Sequence, residues 1–111
     1  MELLTGKTEY ALSLFRFFIE EYKQIGPIEL ISLKSMIALK GHQKIAYVTQ
    51  IGKNFVHIVF PFNQIYHDNL CFSKIANVPG TEQYNHHLRI YDVADVNDEV
   101  KAFMKMAYFA S

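Results

Sequence analysis

The 111-residue chain contains one cysteine and no tryptophan, and it carries no net charge. Because a disulfide needs two thiols, the single Cys71 excludes an intramolecular disulfide and fits a reducing compartment. Eleven basic residues balance eleven acidic ones, which argues against the broad positive surface of a nucleic-acid binder. The longest apolar stretches, residues 14–19 and 56–62, are too short for a signal core or a membrane span. We therefore expect a cytoplasmic protein without a membrane segment.

Hydrophobic and aromatic residues, in contrast, are plentiful and make up 50% and 14% of the chain. A chain of this length buries roughly two-thirds of its unfolded surface when it folds. Disorder is excluded, since disordered chains are poor in aromatic residues and rich in net charge. The composition therefore predicts a single globular domain over residues 1–111.

The N-terminal part has the pattern of a helix over residues 8–25. Its apolar side chains recur at the spacings that place them on one helical face, and Gly-Pro at residues 26–27 ends the pattern. Leu12, Phe17 and Ile19 widen the apolar sector beyond one stripe. A helix that is apolar on more than one side must bury more than one side, so we expect it to contact a sheet and a second partner.

The central part alternates apolar and polar residues, which is typical of antiparallel strands joined by tight turns. The predicted strands cover residues 33–40, 45–51, 55–62 and 84–91. Pro61 is expected at a strand end or an edge, because it has no amide donor. Residues 63–83 are predicted as a connection, with one helical turn around residues 69–75.

A second helix is predicted after residue 95, with Asp95 as its N-cap and Val96, Val100, Phe103 and Ala107 on its buried face. Together these elements predict a two-layer α+β domain: an N-terminal helix, an antiparallel sheet of about four strands and a C-terminal helix.

The histidines are the first candidates for a functional site. His86 and His87 are adjacent on one predicted strand, so their side chains point to opposite faces of the sheet. If that strand pairs with the one containing His57, then His57 and one of the two become cross-strand neighbours. A metal site needs several converging ligands, and only His67 and Cys71 are closely spaced, so we predict no metal and no cofactor.

Nucleophilic catalysis has little support in the sequence. Cys71 stands between Leu70 and Phe72, and a lone cysteine among apolar residues usually behaves as a small hydrophobe. No serine occupies a Gly-x-Ser-x-Gly turn, and the glycines do not form a phosphate-binding loop. We therefore favour a protein that is not an enzyme, without excluding one.

Nine phenylalanines and seven tyrosines exceed what a small core requires, and they favour an apolar pocket or a self-association surface. Our leading hypothesis is a binding or interaction module that forms a homodimer and takes a small-molecule ligand. The candidate pocket residues are His57, Tyr66, His86, His87 and Arg89. The alternative from a different class is an enzyme that uses a histidine as general base or metal ligand.

A third hypothesis rests on the distribution of charge. Residues 30–67 contain no acidic side chain, yet four lysines lie there: Lys34, Lys40, Lys44 and Lys53. They are candidates for a surface that binds an anion or single-stranded nucleic acid. No arginine accompanies them, which removes the bidentate phosphate geometry and makes nucleic acid an unfavoured partner.

Three segments of the C-terminal half carry a resemblance to a known family: residues 85–91 (NHHLRIY), residues 95–100 (DVNDEV) and Ala107-Tyr108. The pattern resembles a family of short bacterial domains of unknown function. Their C-terminal halves have paired histidines, a Leu-Arg strand, an Asp-Leu-Asp-Asp-Glu-Leu helix start and a terminal Ala-Tyr. Residues 34–39 and 55–60 are similar to that family as well, so the resemblance covers most of the chain from Lys34 onward.

The resemblance implies a small cytoplasmic α+β protein without an assigned activity, in a family whose members occur alone or fused to other domains. It makes His57, His86, His87 and Arg89 the first residues to test. Val96 and Val100 stand where the family usually has leucines, and Phe103 and Lys105 stand where it often has Trp and Arg. Any role of those two family residues is therefore in doubt in this chain.

Overall fold

An antiparallel sheet forms one layer of the computed structural model, which describes residues 2–66 and 70–110. Within these residues the sheet has six strands, in the order β1-β2-β3-β4-β6-β5. Their bounds are β1 Glu29–Ser32, β2 Ile37–Lys40, β3 Lys44–Ile51, β4 Val56–Phe62, β5 Lys74–Asn77 and β6 Tyr84–Ile90. The α+β prediction is confirmed, but the sheet is larger than the four strands expected.

The two additional strands are the short edge strands β1 and β5, which have four residues each. Neither has a clear alternation of burial, so the periodicity of the sequence did not reveal them. Strand β5 also corrects the helical turn expected around residues 69–75, because Lys74–Asn77 pairs with β6 instead. Residue 69 lies outside the described residues. The strand predicted from residue 33 begins only at Ile37, since residues 33–36 form the turn that leads into β2.

Helix α1 spans Glu9–Ile25, in agreement with the predicted segment. Thr8 is its N-cap, and the Thr8 side chain accepts a hydrogen bond from the backbone N–H of Ala11. At the other end the backbone N–H of Gly26 donates to the carbonyl oxygen of Tyr22. The Tyr22 hydroxyl in turn donates to the Met104 carbonyl oxygen at 2.8 Å, which fixes α1 against the second helix.

Helix α2 spans Asp98–Phe109, and its N-cap is Asn97 rather than Asp95. The Asn97 side chain accepts from the N–H of Val100. The expected cap was wrong because the Asp95 carboxylate is used one turn earlier, where it accepts the backbone N–H groups of Tyr91 and Asp92. The predicted buried face is confirmed, since Val96, Val100, Phe103 and Ala107 are all buried.

Both helices pack on the same face of the sheet and leave the opposite face open. The core joins the helices to alternate strand residues, such as Ile58, Phe60 and Ile90. The pleat explains this pattern, because successive side chains on a strand point to opposite faces. Pro61 is the penultimate residue of β4, beyond the part of β4 that pairs with β3, as its missing amide donor requires.

The wide apolar sector of α1 is largely covered within the chain itself. Phe15 and Ile19 are buried, and Leu12 and Phe17 are half-buried. The homodimer hypothesis therefore loses its argument from this helix and stays a prediction. Among the described residues, no helix has both the length and the apolar character needed to cross a membrane.

Candidate functional site

The pairing of β4 with β6 determines which candidate residues meet. His57 lies opposite Arg89, Val59 opposite His87, and Phe60 opposite His86. Because directly opposed residues share a face, His57, His87 and Arg89 lie on the open face, whereas His86 points toward the helices. The expected cross-strand meeting of His57 with one of the paired histidines is confirmed, and the partner is His87.

A chain of hydrogen bonds joins the three open-face residues. The Arg89 Nε–H donates to His57 Nδ1 at 3.0 Å. On the other side of the ring, His57 Nε2 and His87 Nδ1 are 2.8 Å apart. The two imidazole rings meet edge to face, with their centroids separated by 5.1 Å.

The guanidinium of Arg89 fixes the direction of these bonds. Arginine keeps its protons in proteins, so His57 Nδ1 must be the acceptor. A neutral His57 then carries its hydrogen on Nε2 and donates it to His87 Nδ1. Since His87 Nδ1 accepts, a neutral His87 carries its own hydrogen on Nε2. This series of hydrogen bonds on the open face therefore ends in a donor, the Nε2–H of His87.

Both open-face histidines are held neutral near pH 7. Burial lowers the pKa of His57 below its ordinary value of 6.5, and the charges of His87, Arg89 and Lys74 lower that pKa further. Burial also lowers the pKa of His87, with help from the charges of Lys74 and His86. The tautomers inferred above are therefore those that apply at physiological pH.

Arg89 is supported on its other side by an aromatic ring. Its guanidinium carbon lies 4.3 Å from the centroid of the Phe55 ring, a cation–π contact. Phe55 in turn lies over Gly52, where a Cβ atom would overlap the ring. The Phe55 ring also contacts Tyr91, with the ring centroids 5.6 Å apart. Phe55, in the turn between β3 and β4, thus supports Arg89, and Arg89 in turn orients both histidines.

His86 and Tyr66 form a separate cluster on the covered face. His86 is fully buried, its Nδ1–H donates to the Tyr84 carbonyl oxygen at 2.8 Å, and its Nε2 accepts the Tyr66 backbone N–H at 3.1 Å. The rings of Phe62 and Phe72 also surround it. Burial lowers the pKa of His86. With both ring nitrogens bonded to backbone, His86 holds the loop after β4 in place, and the five predicted pocket residues do not line one cavity.

The open face contains a shallow depression of about 310 Å³. Its lining residues come from the turn before β2, from β3 and β4, and from the start of β6: Met36, Tyr47, Thr49, Val59, Gln83, Asn85 and His87. Of these, only His87 was predicted from the sequence as a site residue. The alternation of Asn85, His87 and Arg89 along one strand was the signal that could have identified Asn85.

The chain matches the family described as Domain of unknown function (DUF5655) over residues 2–111. The chain belongs to this family. The resemblance to a family of domains of unknown function is thus confirmed, and the match also includes α1 of this chain. Neither the curated proteins nor the solved structures contain a match.

The four lysines of the anion-surface hypothesis are divided between the two ends of the sheet. Lys40 and Lys44 are paired across the β2–β3 turn. Lys34 and Lys53 lie in the β1–β2 and β3–β4 connections. Since neighbouring strands are antiparallel, these two connections lie at the opposite end from the β2–β3 turn. The fold therefore does not gather the four lysines into one patch.

Cys71 is a half-buried free cysteine. Burial, followed by its hydrogen bond to Glu99, raises the pKa of the Cys71 thiol to about 12. The thiol is therefore protonated and unreactive near neutral pH. Across residues 2–66 and 70–110, no three His, Cys, Asp or Glu side chains converge on a point that could hold a metal ion. His67, the other half of the closely spaced pair, lies outside the described residues.

Proposed function

We propose that this chain is a cytoplasmic binding module that holds a small molecule on the open face of its sheet, in the depression beside His87. The observation that carries the proposal is the chain of hydrogen bonds from Arg89 through His57 to His87. It fixes the orientation of a polar group at the edge of a depression whose floor includes the apolar side chains of Met36 and Val59. Small-molecule sites commonly combine an apolar floor with a few oriented polar groups.

The same chain of bonds argues against the enzymatic alternative. A general base needs an unprotonated nitrogen that faces its substrate. For His87 Nε2 to be unprotonated in a neutral ring, His87 would carry its hydrogen on Nδ1 and donate it to His57. His57 would then carry a hydrogen on Nδ1, directly against the Arg89 Nε–H. Arg89 therefore favours His87 as a donor, a role that suits binding.

A fragment screen by NMR tests the proposal. The ¹⁵N-labelled chain is titrated with single-ring fragments, and the backbone and side-chain signals are followed. We expect fragments that bind to shift the signals of Tyr47, Asn85 and His87, with affinity falling about tenfold or more in His87→Gln. His42→Gln is the matched control, because His42 is exposed in the β2–β3 turn, away from the depression.

Three results of this screen would contradict the proposed binding function. Fragments that bind only elsewhere, or that bind the His87→Gln variant as tightly as the original chain, would overturn the proposal. So would the absence of any binding fragment. Thermal unfolding of the two variants verifies that each is folded, which is expected because neither side chain belongs to the core.

A further inference from the structure

Two residues of β6 that line the depression, Asn85 and His87, can offer hydrogen-bond donors to a ligand. Asn85, His87 and Arg89 are alternate residues of β6, so they lie on one face at intervals of about 7 Å. His87 presents its Nε2–H, as derived above. The Asn85 Oδ1 atom already accepts the Gln83 side-chain amide at 3.1 Å, which leaves the Asn85 amide hydrogens as the group to offer a ligand.

The charges near this row are positive. Lys74 of β5 lies directly opposite His87, and Arg89 follows His87 on β6. In the described strands, the one acidic residue in register on the open face is Glu29 of β1, which is paired with Lys40 at the far edge of the sheet. Glu82 and Asp92 lie in the segments that flank β6. The charge of Lys74 also acts at the site, since it lowers the pKa of both His57 and His87.

The remainder of the depression is apolar and small. Met36, Tyr47 and Val59 contribute to its lining, and its volume of ≈ 310 Å³ suits a body no larger than about one ring. An anionic head on such a body would meet donors at one side and apolar surface at the other. Inorganic phosphate would satisfy the donors but would leave the apolar surface unused.

We infer that the depression takes a small organic carboxylate, with the carboxylate at Asn85 and His87 and an apolar body over Val59 and Tyr47. This inference rests on the proposed function, because it names the ligand class of the same site. Lys74 supplies long-range attraction from the neighbouring strand. A carboxylate accepts hydrogen bonds only, and it therefore complements a row of donors whose own acceptor atoms are occupied.

The test compares three probes that differ in one property each. Benzoate has the ring and the charge, benzamide has the ring without the charge, and inorganic phosphate has charge without a ring. Each is titrated into the ¹⁵N-labelled chain at pH 7.5 and low ionic strength. We expect benzoate to shift the signals of Asn85, His87 and Tyr47 with an affinity about tenfold above that of benzamide or phosphate.

A pair of lysine variants makes the test sharper. Lys74→Gln is expected to weaken benzoate binding about threefold to tenfold without a change for benzamide, because an exposed charge contributes modestly in water. Lys40→Gln is the matched control and is expected to change neither affinity, since Lys40 lies two strands beyond β4.

Each contrary outcome has a distinct meaning. Equal binding of benzamide and benzoate in the depression would overturn the carboxylate inference while the proposed binding function stands. Equal binding of phosphate would overturn the requirement for an apolar body. If neither aromatic probe shifts the depression while other fragments do, the ligand class is wrong. If no fragment of any class binds there, the proposed function itself fails.

Discussion

The two faces of the sheet use adjacent histidines in opposite ways. On the covered face, His86 is fully buried and both of its ring nitrogens are hydrogen-bonded to backbone groups. On the open face, His87 accepts from His57 through Nδ1, which leaves the hydrogen of a neutral His87 on Nε2. The hydrogen bonds of His86 all have partners within the protein and stabilise the fold. The hydrogen bonds of the open face leave one donor, on His87, for a ligand.

Their surroundings differ in the same sense. The rings of Phe62, Tyr66 and Phe72 enclose His86 and exclude water from it. Burial is the largest cause of the lowered pKa of all three histidines, on both faces. The open-face pair also has charged neighbours: Lys74 lowers the pKa of both His57 and His87 further, and Arg89 lowers that of His57.

The largest expected effect is the difference in stability between variants that lack His86 and variants that lack His87. His86→Ala should lower the free energy of unfolding by about 3 kcal/mol, because it creates a cavity among aromatic rings and leaves the Tyr66 N–H without its acceptor. His87→Ala should cost less than about 1 kcal/mol, because its side chain is only half-buried. Urea denaturation of both variants measures the difference, and equal losses would show that the two faces are not distinct.

A smaller effect is expected from acid. Because the folded chain lowers the pKa of His57, His86 and His87 below 6.5, it binds protons less readily than the unfolded chain. The free energy of unfolding is therefore highest above pH 6.5, and it declines as the pH falls below 6.5 through the lowered pKa values. Denaturation between pH 7.5 and pH 5 measures it, above the main range of carboxylate titration.

The double variant His57→Gln, His87→Gln separates the two faces in this experiment. It removes the open-face contribution and keeps His86, so we expect part of the acid sensitivity to remain. Stability of the original chain that is constant over the whole range would contradict the lowered pKa values. Complete loss of the sensitivity in the double variant would place the effect on the open face alone.

The sequence was sufficient to predict the long helices and strands and the opposite orientations of the two adjacent histidines. Helix α1 and strand β4 follow from strong periodicities, and the adjacency of His86 and His87 requires that they face opposite ways. The meeting of His57 with one of them followed once those two strands were assumed to pair. Which histidine faced the helices depended on the register, and the register depends on packing of the whole sheet.

Other features lay beyond sequence reasoning for physical reasons. The edge strands β1 and β5 are held by a single neighbouring strand each, so their short sequences carry little pattern of their own. The N-cap of α2 is Asn97 and not the predicted Asp95. Either side chain can cap a helix, and only the backbone path decides between them. Tyr66 was grouped with all three histidines, and it meets only His86, since its position depends on the loop after β4 rather than on a strand.

The tautomers of the three histidines test the central claim most directly. Long-range ¹H–¹⁵N NMR of the imidazole rings at pH 7.5 distinguishes a hydrogen on Nδ1 from one on Nε2. We expect His57 and His87 to carry it on Nε2 and His86 to carry it on Nδ1, as the bonds to Arg89 and to the Tyr84 carbonyl oxygen require. A His87 with its hydrogen on Nδ1 and an unprotonated Nε2 would contradict the account, because the open face would then present a base instead of a donor.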